Sequence, residues 1–479
     1  MKNTLTNQNR SYLSNSTRFI SLYSLIAGAI AGFGFNAFNM QHACLHWYAP
    51  LLTLFGFSVL GYILHHTQRP VATSYCFGLA YHAVSLFWVG SAFDYTTIPF
   101  VKPFISSALA VFLATQFPLA IWISTFYRKG AFSLKWVSIF AILDFLRISS
   151  PLFFPWNPMG FIAGDFCLSS IRWWGILGLS WFMLLLSQIH CLANRWRIVL
   201  VITFGALCVD HYLHQKQPTE FTKIYGRIVQ PCIAQDFKWQ KEKIAENVET
   251  FRVLSNEPTA KKLDFILWPE SALPVYFTND VNELAFLMPE NVPLMVGHVH
   301  VVSHNQVCTS LSCVDRQAGI RSTYQKRFLV PFGEYLPFAF MRWLIPLITE
   351  QKMGITPGRS KQILDLSAAG LPAAHVLICY ESVFPQTIFN YQKWIVGVSN
   401  DAWFGTSSGP YQHLRWNQIR CLENNMPMVR STNHGISAVI NSRGRLVKWL
   451  GLNQCGIIDC LVPASSGPSV YNRINVRPI

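Results

Sequence analysis

The first 215 residues contain seven apolar runs, at approximately 19–36, 46–64, 71–92, 103–126, 134–147, 173–194 and 198–213. A helix that crosses a bilayer needs about 20 mostly apolar residues, and it must satisfy its own backbone where there is no water. Such runs in succession predict a polytopic helix bundle over residues 1–215. The first run is too long and too weakly cleavable for a simple secretory signal, and further spans follow it. The fifth is short. After it come Pro151, Pro155, Trp156, Pro158 and Gly160, a broken apolar stretch. Such backbone is either buried in protein at membrane depth or an interfacial loop. Charged residues make up only 13% of the chain, where a soluble protein carries about 25%, which agrees with a membrane protein.

Loop charge sets the expected orientation. With a cytoplasmic N-terminus, the inside segments carry Lys2, Arg10, Arg18, Arg69, Arg128, Lys129, Lys135, Arg195 and Arg197, and the outside loops only Lys102, Arg147 and Arg172. An odd number of spans then puts everything after residue 215 outside the cytoplasm. The net charge of +15 does not point to nucleic acid, because the basic residues form no stripe; it suits a surface facing anionic lipid. The 12 cysteines show no CxxC or Cys/His spacing, so no metal is expected. Cys308 with Cys313, and Cys455 with Cys460, are candidate pairs in an oxidising compartment, a choice the sequence leaves open.

Composition changes over 214–226, and residues 216–226 read as a linker. Beyond it, 227–234, 265–271, 293–299, 375–382 and 394–400 read as buried strands, and 239–255 and 411–425 as amphipathic helices. Apolar strands between helices predict an α/β fold whose sheet is covered on at least one face. Glu270, Cys379 and Asn400 each fall at the C-terminal edge of a strand, where ligands sit in open α/β sheets.

A thiol attacks an acyl carbon as thiolate, so it needs a base or a nearby cation, and the developing oxyanion needs donors. The chain offers a carboxylate in LWPESALP (Glu270), an ammonium in YQKRFLVPFGEYLP (Lys326) and a thiol in LICYESVF (Cys379), 56 and 53 residues apart. Each alone has an ordinary explanation: a capped turn, a solvated basic stretch, a buried small hydrophobe. Together, in this pattern, they point to a nucleophilic thiol with its base and its cation.

The stretches LWPESALP, KRFLVPFGEYLP, ICYE, SNDAWFG and RSTNHGISAVI, with FKWQKE and FPWNPMGF before them, resemble a known family. Residues 227–461 look like a nitrilase-type carbon–nitrogen hydrolase domain, and nearly the full chain is similar to the apolipoprotein N-acyltransferases. The resemblance implies a nitrilase-like αββα sandwich on a transmembrane bundle in a Gram-negative inner membrane, with the sandwich in the periplasm. It implies transfer of an acyl chain from a membrane phospholipid, through a thioester on Cys379, to the N-terminal amine of a diacylglyceryl apolipoprotein. A membrane-anchored amidase that gives its acyl-enzyme to water is the alternative.

By the same resemblance Glu270 is the base, and Lys326 with the N–H of Tyr380 binds the oxyanion. Glu334 orients Lys326, and Tyr380 and Glu381 shape the pocket. Trp239 lies near the acyl path or in the core, and Asn400, Asp401, Trp403 and Phe404 form the site wall. Residues 338–348, with Trp343 and Leu344, either dip into lipid as a lid or form a core helix. No cofactor and no nucleic acid are expected, and the chain is expected to act as a monomer. Family members usually end in a further membrane helix; residues 462–479 contain no clear one, so either this member lacks that anchor or the sequence is cut short before it.

Overall fold

The computed structural model describes residues 2–36, 43–94, 100–126, 131–150, 153–238, 240–272, 276–277, 292–303, 306–315, 319–335, 354–359, 361–385 and 392–475. Each apolar run forms helix. Among the described residues five helical stretches are long and apolar enough to cross a membrane: Phe19–Asn36, Tyr48–His66, Val101–Phe126, Leu168–Ser187 and Asn194–Lys216. Pro70–Ser85 and Phe87–Phe93, bent by 49°, make a sixth if taken as one span. The fifth run forms Phe132–Ser149, whose Lys135, Asp144 and Arg147 keep it outside that group. Asp144 and Arg147 are buried and paired with each other, which turns their charge into the bundle and away from lipid. The seven runs thus correspond to five or six spans by length and composition.

Small residues let these helices approach closely. A side chain at Gly28 would meet the carbonyl oxygen of Phe77 at 2.3 Å, and one at Gly32 that of Tyr81 at 2.6 Å. Outward positions such as Phe55, Trp122, Ile142, Ile202 and Leu213 are exposed, as lipid-facing positions must be. The broken stretch is protein-covered. Trp156, Pro158, Met159 and Gly160 are buried, and Arg147 donates to the carbonyl oxygens of Phe154 and Trp156.

The second half holds two sheets face to face. In one, Phe221–Gln230, Phe265–Leu267, Leu294–Ser303, Gln306–Asp315 and Gly319–Gln325 follow in order, with Gly456–Pro463 beyond the first. In the other, Ala374–Ile378, Ile395–Ser399 and Met428–Thr432 run parallel, continued antiparallel by Ala438–Ile440. Alternation decides which side chains meet. Ile228, Phe265 and Leu267 face Val376, Ile378 and Val396 between the sheets. Val229, Ile266 and Trp268 face outward onto Phe251 and Leu254 of the helix Ile244–Ser255. Leu377, Ile395 and Met428 face Tyr411, Leu414 and Cys421 of the helix Gly409–Asn424. The result is the expected αββα sandwich. Its first strand starts at Phe221, inside the stretch read from sequence as linker.

One expectation is corrected in kind. Residues 411–425 read as an amphipathic helix, yet 14 of the 16 residues in Gly409–Asn424 are buried. The sheet covers one face and the membrane helices cover the other. Trp156 Nε1 donates to Gln412 Oε1 at 2.7 Å, and the rings of Trp156 and Trp416 meet edge to face. The tail also docks: Asn472, in the short helix Val470–Asn475, donates to Asn424 at 2.8 Å.

Neither candidate cysteine pair is bonded, and Cys308, Cys313, Cys455 and Cys460 are free thiols. Five residues along an extended strand place two side chains on opposite faces, about 17 Å apart by strand rise, far beyond disulfide reach.

Candidate active site

Three strands and the turns after them deliver the chemistry. Glu270 follows Phe265–Leu267, Lys326 directly follows Gly319–Gln325, and Cys379 directly follows Ala374–Ile378. Lys326 Nζ lies 3.0 Å from Glu270 Oε1 and 2.8 Å from Glu334 Oε1. The other oxygen of Glu334 accepts the N–H of Val330 at 2.7 Å, so its carboxylate holds both the ammonium and its own loop. The other oxygen of Glu270 accepts the N–H of Asn400 at 3.0 Å. The structure therefore brings Glu270, Lys326, Glu334 and Asn400 into one hydrogen-bonded array, with Cys379 from the second sheet in electrostatic contact with Glu270 and Lys326.

The electrostatics follow from burial. Burial alone would depress the Lys326 ammonium, but Glu270, Glu334 and Cys379 outweigh it and hold its pKa well above the usual value. Burial raises the Glu334 carboxyl; Lys326 opposes that shift and Glu270 adds to it. Burial also pushes the Cys379 thiol far up, reinforced by Glu270 and Asp401 and opposed by Lys326 and Ser399. These surroundings favour the neutral thiol at Cys379 over the thiolate, and a thiol in that state needs a base before it can act as a nucleophile.

Cys379 itself is held in the left-handed region at φ 49°, which costs a non-glycine residue about 1–3 kcal/mol. It opens the five-residue 3-10 turn Cys379–Val383. Glu381, fully buried, fastens that turn from behind: one oxygen accepts from the Tyr324 hydroxyl at 2.6 Å and the Arg327 N–H at 2.8 Å, the other from the Ile378 N–H at 2.8 Å. Glu381 thus ties the cysteine turn to the lysine segment, a supporting place behind Cys379. Tyr380, Val383 and Phe384 pack into the same core as the membrane helices. Phe404 joins them, its ring edge-on to Trp88 at 5.2 Å. Trp403 is 40% exposed beside it. Trp239, Trp343 and Leu344 lie outside the described residues.

Sequence reasoning passed over three groups. Lys238, buried, donates to the carbonyl of Glu270 at 3.3 Å, and burial lowers its pKa to about 8 against the pull of Glu270. Its signal was its place in FKWQKE. His413 bonds to Asp401 Oδ1 at 2.8 Å and contacts the Cys379 carbonyl oxygen at 3.1 Å. Arg430 donates to Asp401 Oδ2 at 2.6 Å. Burial alone would raise Asp401, but His413, Arg430 and Ser399 hold it well below the carboxylate range. Cys379, Asp401 and His413 bring metal-ligand atom types within 4.8 Å of one another. The His413 and Asp401 donors are already spent on protein hydrogen bonds, so this set fits a metal ion poorly.

A nitrilase-like sandwich with this array at its strand ends, seated on apolar helices, defines a membrane-associated enzyme of the carbon–nitrogen hydrolase class. The carbon-nitrogen hydrolase family profile matches residues 227–466, and that of the apolipoprotein N-acyltransferase N-terminal domain matches 22–189. The chain is 29% identical to an apolipoprotein N-acyltransferase of Rhodopseudomonas palustris and 30% identical to one of Bradyrhizobium diazoefficiens, each over 96% of this chain and 92% of the relative. It is 28% identical to one of Rickettsia bellii over 85% of each chain. An amidase of the nitrilase superfamily from Nesterenkonia, 14% identical over 54% of this chain and 95% of its own, superposes at a TM-score of 0.39, too low to bear on the chemistry. The chain belongs to the apolipoprotein N-acyltransferase family and is an acyltransferase.

Proposed function

We propose that this chain, as a monomer in a bacterial inner membrane, moves an acyl chain from a phospholipid to the N-terminal amine of a diacylglyceryl-cysteine lipoprotein. The observation that carries this reading is the position of the nucleophile's turn. Tyr380, Val383 and Phe384, which follow Cys379 in its turn, share a core with the membrane helices, and this supports a donor drawn from the membrane.

Glu270 takes the thiol proton as sulfur attacks the ester carbonyl. Lys326 and the Tyr380 N–H receive the oxyanion, and Glu334 and Asn400 keep Lys326 and Glu270 in place. The C–O bond breaks, Glu270 returns the proton to the leaving lysophospholipid hydroxyl, and a thioester remains. The lipoprotein amine then attacks, Glu270 takes its proton, and the thiol is regenerated with an amide formed. The loop charges favour a periplasmic sandwich, and the inward, paired charges of Phe132–Ser149 allow that helix to serve as the seventh span this orientation needs.

The test is incubation with phospholipid alone in detergent, followed by mass spectrometry. The expected product is one acyl chain on the Cys379 peptide, removable by hydroxylamine and by a lipoprotein-type amine. An unmodified Cys379, or release of free fatty acid to water at the rate of turnover, overturns the proposal.

A further inference from the structure

Behind Cys379 stands a second array that the acyl-transfer chemistry leaves unused. His413 Nε2 lies 3.1 Å from the carbonyl oxygen of Cys379 and 3.0 Å from Ser382 Oγ. Its Nδ1 meets Asp401 Oδ1 at 2.8 Å. Asp401 is completely buried, and Ser399 and Arg430 also donate to it at 2.6 Å each. Arg430 comes within 3.4 Å of Nδ1 as well, and the Phe404 ring stands edge-on to the imidazole at 6.5 Å. A carbonyl oxygen can only accept, so Nε2 is the donor in the contact with Cys379.

That carbonyl belongs to the peptide joining Cys379 to Tyr380. The described peptides are all trans, and in a trans peptide the C=O and N–H point in opposite directions on one rigid plane. Whatever grips the oxygen of Cys379 also aims the N–H of Tyr380. A cysteine at φ 49° does not hold that plane by preference. The grip comes from the helix Gly409–Asn424, and the neighbouring Gln412 anchors that helix to the membrane half through Trp156 at 2.7 Å and Asn36 at 3.0 Å.

We infer that His413, braced by Asp401, is a positioning residue that aims the Tyr380 N–H at the oxyanion formed during acyl transfer. The inference rests on the proposed reaction and deepens it. His413 touches no reacting atom; it acts through the peptide plane.

Two reactions of the same thiol separate this role from a structural one. Acylation by 4-nitrophenyl acetate develops an oxyanion, whereas alkylation by iodoacetamide, a displacement at saturated carbon, does not. Both are read on the Cys379 peptide by mass spectrometry, with the full chain in detergent. His413→Met and His413→Gln have similar volumes, but only Gln can donate to the carbonyl. Removing an oxyanion donor outright costs about 100- to 1,000-fold, so misaiming one in His413→Met should slow acylation by roughly 10-fold or more. Its KM for the ester and its alkylation rate should stay within about twofold of the parent, since neither involves the oxyanion. His413→Gln should recover at least part of the acylation rate. Equal acylation by the two variants, parallel loss of acylation and alkylation, or failure of both variants to fold would each show a structural role and overturn the inference. The Cys379 adduct with phospholipid tests the underlying reaction separately, in the unaltered chain.

Discussion

The carboxylate of Glu423 accepts the backbone N–H of Ile176 at 2.8 Å, across 247 residues of sequence. Ile176 follows Gly175, where the membrane helix Ile171–Ser187 breaks at φ 71° and ψ 176°. The Tyr471 ring fills the space there; a side chain at Gly175 would meet it at 2.3 Å. Glu423 also pairs with Arg420 at 2.7 Å, with both side chains fully buried. The helix Gly409–Asn424, behind Cys379, therefore completes a broken helix in the membrane half. Glu423→Ala should leave a buried unpaired guanidinium and lower stability by about 3–5 kcal/mol. Glu423→Gln, which keeps an acceptor for Ile176, should lose less. Thermal unfolding in detergent ranks the two, and equal midpoints would dismiss the docking role.

Cys379→Ser should abolish acyl transfer while expression and melting temperature stay near those of the parent. A hydroxyl is a far weaker nucleophile without activation matched to it. Turnover of a labelled phospholipid measures the loss, and a serine variant close to parental turnover would remove Cys379 from the mechanism.

Glu334→Gln should slow turnover by about 10- to 100-fold, the loss of one charge-assisted hydrogen bond to Lys326 at roughly 1.5–3 kcal/mol. Because Glu334 holds Lys326 and is not expected to touch lipid, kcat should fall and KM should not. A rise in KM alone would place Glu334 against the substrate instead.

Lys238 predicts a pH dependence of stability. In the unfolded chain its ammonium titrates near 10.5, and in the fold near 8. Between those values the unfolded state binds more protons, so this residue's contribution to stability rises with pH. Below pH 8 both states are protonated and the fold carries the full cost of a buried ammonium. Lys238→Met should therefore melt higher than the parent at pH 7, with the gap shrinking from pH 8 towards pH 10.5. Melting curves across that range check it; a constant gap would mean that the ammonium is not the cause.

A reporter fused after residue 215 should read as periplasmic, from the loop-charge bias. Labelling of an engineered surface cysteine in the second half by a cytoplasm-restricted reagent, but not by an impermeant external one, would reverse the topology.

Much of this protein was legible along the chain. The length of the apolar runs determined the membrane half, because the thickness of hydrocarbon sets how many residues a span needs. Buried strands ending on Glu270 and Cys379 marked the site, since period and strand ends are local properties of sequence. What only the tertiary structure decided depends on residues far apart in sequence. Glu381 stands two residues from Cys379 in sequence, but its tie to the lysine segment through the Arg327 N–H exists only in the fold. The helix Gly409–Asn424 looked half-solvated because its polar residues are visible in sequence and their partners, Trp156, Asn36 and Ile176, are not. His413 reads as one polar residue on a helix until folding carries it across 34 residues to the Cys379 carbonyl. Hydrogen bonds depend on direction and on distances of about 3 Å, and no residue pattern encodes those until the two sheets and the membrane helices have closed around them.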